Sequence, residues 1–273
     1  MISRGLLVGI NSYPGQPLHG CVNDVTDMAN FLVSSCRFST SDIRLLTDAR
    51  ATTVAILDRL KWLLNDVRPG DRIIFHYSGH GTQFPVRDAQ GNVTAVYDAI
   101  CPVDFDWTRQ HAIINEDLRQ IFDAAPAGIE FIFISDSCNS GDLTRAFAAS
   151  PPRFFVPPAD ILWRLRTAHD KGIALSAIQH DRCGLISGCK SNQESADATI
   201  NGRPNGAMTY YLLQELKTSG GLQKSLTQVV PDVVNLLKKN KYPQEPQLRG
   251  PAEVTQRPFL AATAAGRPRA KKR

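Results

Sequence analysis

Two stretches of this 273-residue chain place chemistry-bearing residues at the ends of apolar runs. His76-Tyr77-Ser78-Gly79-His80-Gly81 completes the run Arg72-Ile73-Ile74-Phe75, and Asp136-Ser137-Cys138-Asn139-Ser140-Gly141 follows Phe131-Ile132-Phe133-Ile134. Both runs are rich in β-branched and aromatic residues and stop at Gly/Ser-rich turns, the pattern of buried strands. In an open α/β sheet the carboxyl ends of parallel strands are where ligands bind, so two such strands side by side would set His80 and Cys138 across one crevice. A thiol is mostly protonated at neutral pH and needs an imidazole to take its proton or pair with the thiolate. The pair therefore suggests attack of sulfur on an acyl carbon, the chemistry of a cysteine protease. Gly79 and Gly81 allow a tight turn, and the N–H groups of Gly81 and Cys138 are candidates to bind the developing oxyanion. A turn histidine or a small buried cysteine explains either residue alone; the two at matched strand ends favour the chemistry.

Such strand ends need a sheet to hold them. The sequence predicts strands at Gly5–Ile10, Ile43–Leu46, Arg72–Tyr77, Glu130–Ser135 and Cys183–Ser187, alternating with stretches of helical period, which favours a mostly parallel sheet. Helices are expected over Val22–Val33 after Asn23 or Asp24 as a cap, over Thr52–Leu64 ended by Pro69-Gly70, over Asn115–Ala124, over Ala207–Lys217, and over Leu222–Lys239 with a break or kink at Pro231. Gly141 to about Gly172 carries Pro151-Pro152 and Pro157-Pro158 without a clear period, and reads as a long exposed loop.

Composition excludes several classes. The chain is long enough to bury a full core, shows no leader-like amino terminus and no apolar stretch near the roughly 20 residues that cross a bilayer, and reads as soluble and intracellular. Six cysteines without dense spacing point to reduced thiols. The net charge of +5 is located in the last seven residues, where Arg267, Arg269, Lys271, Lys272 and Arg273 supply five cations. The remaining basic residues balance the 26 acidic ones, which argues against a broad phosphate-binding face and leaves the tail as a solvated end. No phosphate-cradling Gly-rich loop and no G-x-S-x-G elbow occurs. His180, Cys183 and Cys189 lack the spacing of a zinc knuckle.

The blocks Gly20-Cys21-Val22-Asn23-Asp24, Tyr77-Ser78-Gly79-His80-Gly81-Thr82-Gln83, Asp136 to Gly141, Ile186 to Asp197 and Pro246-Gln247-Leu248 together resemble the metacaspases of the caspase-like clan of cysteine peptidases. The resemblance runs from about residue 4 to 250, with the blocks in the family's order. It implies a caspase-like α/β fold with a mostly parallel central sheet flanked by helices on both faces. It also implies one peptidase domain over residues 1–250, with a large part at 1–142, a linker loop at 143–172 and a small part at 173–250, followed by a C-terminal extension at 251–273 with a disordered basic tail.

The resemblance further implies an endopeptidase with Cys138 as nucleophile and His80 as base, cutting protein or peptide substrates after Arg or Lys. The pocket for that side chain is expected from Cys21, Asp24, Ser78 and Asp136. Two carboxylates in a partly dry pocket select guanidinium or ammonium and repel Asp. Taken singly, Asp24 also reads as a helix cap and Asp136 as a strand-end turn residue. Self-cleavage in the linker is expected at one of Arg145, Arg153, Arg164, Arg166 or Lys171, against the plainer reading of solvated loop cations.

The family's calcium positions correspond to Asp98, Asn115, Glu116 and Arg145. A guanidinium in a hard cation's shell repels it, so no metal, no required cofactor and no calcium dependence are expected. Asn139 stands where many metacaspases have histidine, and its side chain is expected off the reaction path. A cytoplasmic monomer is expected, controlled by an external regulator or activating protease, with no nucleic-acid or membrane partner. Two other readings remain: a catalytically silent caspase-like scaffold, and a Cys/His hydrolase or transferase acting on a non-peptide amide.

Overall fold

The structure, a computed structural model, describes residues 1–139, 152–176, 181–190, 193 and 195–260. In chain order the first half carries β1 (Ser3–Gly9), α1 (Cys21–Ser34), β2 (Ile43–Thr47), α2 (Thr53–Leu64), β3 (Arg72–Ser78), β4 (Gly81–Arg87), β5 (Val93–Ile100), β6 (Ile113–Ile114), α3 (Asn115–Asp123) and β7 (Glu130–Asp136). The second half carries α4 (Ala159–Asp170), β8 (Leu175–Ser176), β9 (Gly184–Ser187), β10 (Asp197–Ile200), β11 (Arg203–Gly206), α5 (Ala207–Leu216), α6 (Leu226–Lys239), β12 (Gln247–Arg249) and α7 (Ala252–Thr255).

The central sheet has six strands in the order β12-β9-β7-β3-β1-β2, parallel throughout except for β12 at one edge. Its side chains divide by the two-residue period of a strand. Leu6, Val8, Ile73, Phe75, Phe131 and Phe133 face one core with Ile56 and Leu60 of α2 and Leu118 and Phe122 of α3. Leu7, Ile74, Ile132 and Ile134 face the other with α1, α5 and α6. Burial on both faces is why these strands read as continuous apolar runs. The sheet is mostly parallel and covered by helices on both sides.

Several local expectations change. α1 starts at Cys21, one turn before the expected Asn23 or Asp24 cap; Gly20 is its N-cap residue and makes no side-chain cap. Asn11 Oδ1 accepts instead from Cys21 N–H at 2.9 Å, and the Asp197 carboxylate accepts from His19 N–H and Gly20 N–H. Thr52 caps α2 by accepting from Ala55 N–H. Pro231 lies in the second turn of α6, and the helix runs on through it to Lys239. Its start moves from Leu222 to Leu226 because a capping box of Ser225 and Gln228 satisfies the first free N–H groups.

The expected exposed loop at 143–172 is corrected in its described part: residues 159–170 form α4, and Arg153 is fully buried. Residues 251–260, expected in the extension, pack on the body through α7 with Val254, Phe259 and Leu260 in the core, while the basic tail lies outside the described residues. The sequence reading also missed the second sheet, an antiparallel β4-β5-β6 with β8 beside β5, and the β10-β11 hairpin. Among the described residues no helix is long and apolar enough to cross a membrane.

Candidate active site

β3 and β7 are neighbours in parallel register, ending on the pair Ser78↔Asp136. His80 and Cys138 each stand two residues past that pair, which brings them to the same edge of the sheet. His80 fills the short turn from β3 into β4, and its backbone is held at both ends. Its N–H donates to Tyr13 Oη at 3.1 Å, and its carbonyl accepts from Tyr77 Oη at 2.6 Å. The imidazole Nε2 donates to Gln16 O at 2.8 Å, so Nδ1 carries the lone pair; Nδ1 is buried and has no hydrogen-bond partner among the described residues. Burial pulls the His80 pKa down to about 4, with the Gln16 carbonyl opposing, so the ring is neutral at pH 7.

Cys138 is fully buried, and burial together with the neighbouring Cys189 sulfur, 3.5 Å away, pushes its thiol well up. Both groups are thus neutral at rest, and no hydrogen bond joins them: the Cys138 sulfur accepts from Ser195 N–H and lies against Cys189. Gly81 N–H and Cys138 N–H both donate to one acceptor, the carbonyl oxygen of Arg153, each at 3.0 Å. Two fixed donors converging on one oxygen are the arrangement that stabilises an oxyanion. Only glycine fits at position 81, because a Cβ there would strike Asn139 Oδ1 and the Cys138 carbonyl. Asn139 itself lies against this turn, and its Oδ1 is buried with no hydrogen-bond partner among the described residues.

Arg153 also fills the acid pocket, although the sequence placed it in a solvated loop. Its guanidinium contacts Asp24 Oδ2 at 2.8 Å, Asp136 Oδ2 at 3.2 Å and Asp197 Oδ1 at 3.1 Å, and donates to Ser78 Oγ at 2.8 Å. The four expected pocket residues therefore meet in one place, with Cys21 as a buried wall whose thiol burial pushes up. Each acid is seated by backbone. Asp24 accepts from Gly206 N–H and Asn205, while Asp136 sits at the N-terminus of α5 and accepts from Thr209 N–H and Oγ1 and from Ser195 Oγ. Burial raises Asp24 to about 6 against the pull of Arg153 and Ser78. Asp136 feels burial too, but Arg153 and the hydroxyls of Ser195 and Thr209 outweigh it and hold the carboxyl below its usual range. The Gly206 Cα approaches so closely that a Cβ would collide with Asp136 Oδ2 and the guanidinium.

Asp197 was missed as a pocket residue although its block was singled out. Its signal was weak, since it lies 59 residues past Cys138 with nothing local to mark it. The residues that fix His80, namely Tyr13, Gln16 and Tyr77, were missed for the same reason. Of the other cleavage candidates, Arg164 and Arg166 lie within α4 and Lys171 caps its C-terminus; Arg145 falls outside the described residues, as does His180.

The segment around Arg153 runs as an extended strap. Upstream, Arg153 N–H donates to Ser195 O at 3.1 Å and Pro152 bridges Ala196 in antiparallel sense; downstream, Phe154 bridges Gly81 in parallel sense. This is how a peptide adds to sheet edges.

A family model described as "Metacaspase, peptidase C14 domain" matches residues 3–146. The chain belongs to the metacaspase family. It is 32% identical over 288 residues to metacaspase-1 of Schizosaccharomyces pombe and 33% identical over 286 residues to metacaspase-1 of Coccidioides immitis, in each case over 90% of this chain. It spans 66% and 60% of those two relatives. Among solved structures it is similar to a protein from Geobacter sulfurreducens (TM-score 0.70, 23% identity, 96% of this chain and 100% of that one). It is also similar to caspase-1 from Spodoptera frugiperda (TM-score 0.59, 10% identity, 97% and 91%), and both likenesses speak to the fold.

Metacaspase membership raises calcium, and of the expected positions Asp98, Asn115 and Glu116 lie among the described residues while Arg145 does not. Glu116 is gripped by Arg119 through both carboxylate oxygens, which with Gln120 holds its pKa at about 2. Asn115 offers a neutral amide, and Asp98 lies buried in β5. Among the described residues no group of three or more His, Cys, Asp or Glu is arranged to hold a metal ion.

Proposed function

We propose that this metacaspase is a cysteine endopeptidase that cuts after Arg or Lys with Cys138 as nucleophile and His80 as base, and that the bond from Arg153 to Phe154 is its own first substrate. One observation carries the reading: Arg153 lies with its side chain in the acid pocket while its carbonyl oxygen receives the N–H groups of Gly81 and Cys138. Specificity element and reacting group are engaged by one residue, as in a bound substrate.

The proton of Cys138 passes to the free Nδ1 of His80, and the thiolate attacks the Arg153 carbonyl carbon. Gly81 and Cys138 N–H groups hold the resulting oxyanion. As it collapses, the bond to Phe154 nitrogen breaks and that nitrogen takes the proton from His80. Water then hydrolyses the thioester between Cys138 and Arg153, with His80 again as base. A buried carboxylate set favours guanidinium or ammonium and repels an acidic side chain, which supports Arg and Lys over Asp. Until the strap leaves, Arg153 blocks the pocket against other substrates.

Substrates are proteins or peptides. The reading requires neither calcium, nucleic acid, membrane nor a second copy, and treats the chain as a cytoplasmic monomer. Fluorogenic peptides ending in Arg, Lys or Asp test it. Cleavage after Arg and Lys, none after Asp and none by Cys138→Ala is expected; uncut Arg and Lys peptides would overturn it. Activity unchanged by chelator is expected, and rescue of chelated enzyme by calcium would contradict the calcium reading.

A further inference from the structure

The strap is gripped beyond the proposed cut as firmly as before it. Phe155 N–H donates to Gly81 O at 2.8 Å, and Thr82 Oγ1 donates to Phe155 O at 3.1 Å. At the next residue the Gln16 side-chain amide acts like a strand edge, accepting from Val156 N–H at 2.8 Å and donating to Val156 O at 3.2 Å. These bonds reach only backbone and are blind to sequence.

The Phe155 side chain is read differently. Its ring lies among four others: Phe105 at 5.2 Å, His80 at 5.4 Å, Tyr13 at 5.9 Å and Trp107 at 6.1 Å between centroids. All four pairs are edge-to-face, the His80 pair at 89°, and Phe155 is 8% exposed. Edge-to-face packing on several sides selects a flat aromatic ring over an aliphatic chain of similar volume.

We propose that Tyr13, His80, Phe105 and Trp107 form a substrate subsite for an aromatic side chain two residues after the cut, with Gln16 clamping the backbone of the third. The proposal rests on the reading that cleavage follows Arg153, which puts Phe155 at that second position. His80 is a wall of the cage, so an aromatic seated there also excludes water from the imidazole and fixes its plane. The subsite therefore acts on kcat as well as on KM.

Internally quenched peptides that differ only in having Phe or Ala two residues after a single Arg test this, with the wild-type chain and with Phe155→Ala, in which the cage is vacated, each assayed after its strap has been cut to completion. The Phe peptide should exceed the Ala peptide by about tenfold or more in kcat/KM with both proteins, and Trp107→Ala should shrink the ratio. Self-cleavage after Arg153 should slow in Phe155→Ala and recover in Phe155→Tyr. Equal kcat/KM for the two peptides would overturn the subsite while leaving the Arg-directed reading intact. If neither Arg peptide is cut, the reading beneath it fails instead.

Discussion

The acid pocket and the Cys138/His80 pair share the same two strand ends but are finished in opposite ways. In the pocket the polar atoms of Asp24, Asp136 and Asp197 are matched by a guanidinium, hydroxyls and backbone N–H groups, and the charge lies fully out of water. At the reacting pair both groups are neutral and His80 Nδ1 is left open. In the proposed function, recognition of a basic residue is built into the fold, whereas the proton transfer waits for the two groups to act on a seated carbonyl. Substitutions in the two regions should accordingly fail in different ways.

The largest effect is expected at the reacting pair. Cys138→Ala or His80→Ala should lower kcat by about 10⁴-fold or more and leave Arg153 seated in the pocket of the uncut chain. In the pocket, Asp136→Asn should cost about 3–5 kcal/mol of complementarity to guanidinium, a loss of some hundredfold or more in kcat/KM for Arg substrates that falls mainly on KM. If Asp136→Asn instead lowered kcat alone, the division between the two regions would break down.

A pH titration sharpens the same contrast. Asp24, raised to about 6, loses its charge as pH falls through that value, so cleavage of Arg substrates should weaken below pH 6 and not above it. His80, lowered to about 4, remains a neutral base across that range, so the limb near 6 belongs to the pocket. Asp24→Asn should lower activity throughout and flatten that limb; a limb near 6 surviving in Asp24→Asn would assign it elsewhere. The smallest effect is expected from Tyr77→Phe, which removes the hydroxyl that holds the His80 carbonyl. About 1–2 kcal/mol, or five- to thirtyfold in kcat, should be lost, with KM nearly unchanged.

What was readable in the sequence follows from this division. The strands Arg72–Ser78 and Glu130–Asp136 are buried on both faces, so hydrophobicity alone announces them, and the polar residues at their ends stand out by contrast. Their parallel neighbours and the flanking helices were legible for the same reason. The strap was not. Its extended shape comes from edges supplied by Gly81 and by Ser195–Ala196, and Arg153 is buried only because three carboxylates from distant segments surround it. A lone arginine among prolines carries no local sign of that. The antiparallel β4 and β5 were missed because Pro85 and a half-exposed face blur their alternation. Asp197 and the tyrosines around His80 act through tertiary contacts that no spacing encodes.

The central claim is that Arg153 is held as a substrate and cut. Purified wild-type chain and Cys138→Ala, incubated side by side and read by intact mass, test it most directly. The wild type should yield two fragments, one ending at Arg153 and one beginning at Phe154, and Cys138→Ala should stay whole. A wild-type chain that remains intact under conditions where it cleaves Arg peptides, or that is cut elsewhere with Arg153–Phe154 preserved, would contradict the claim.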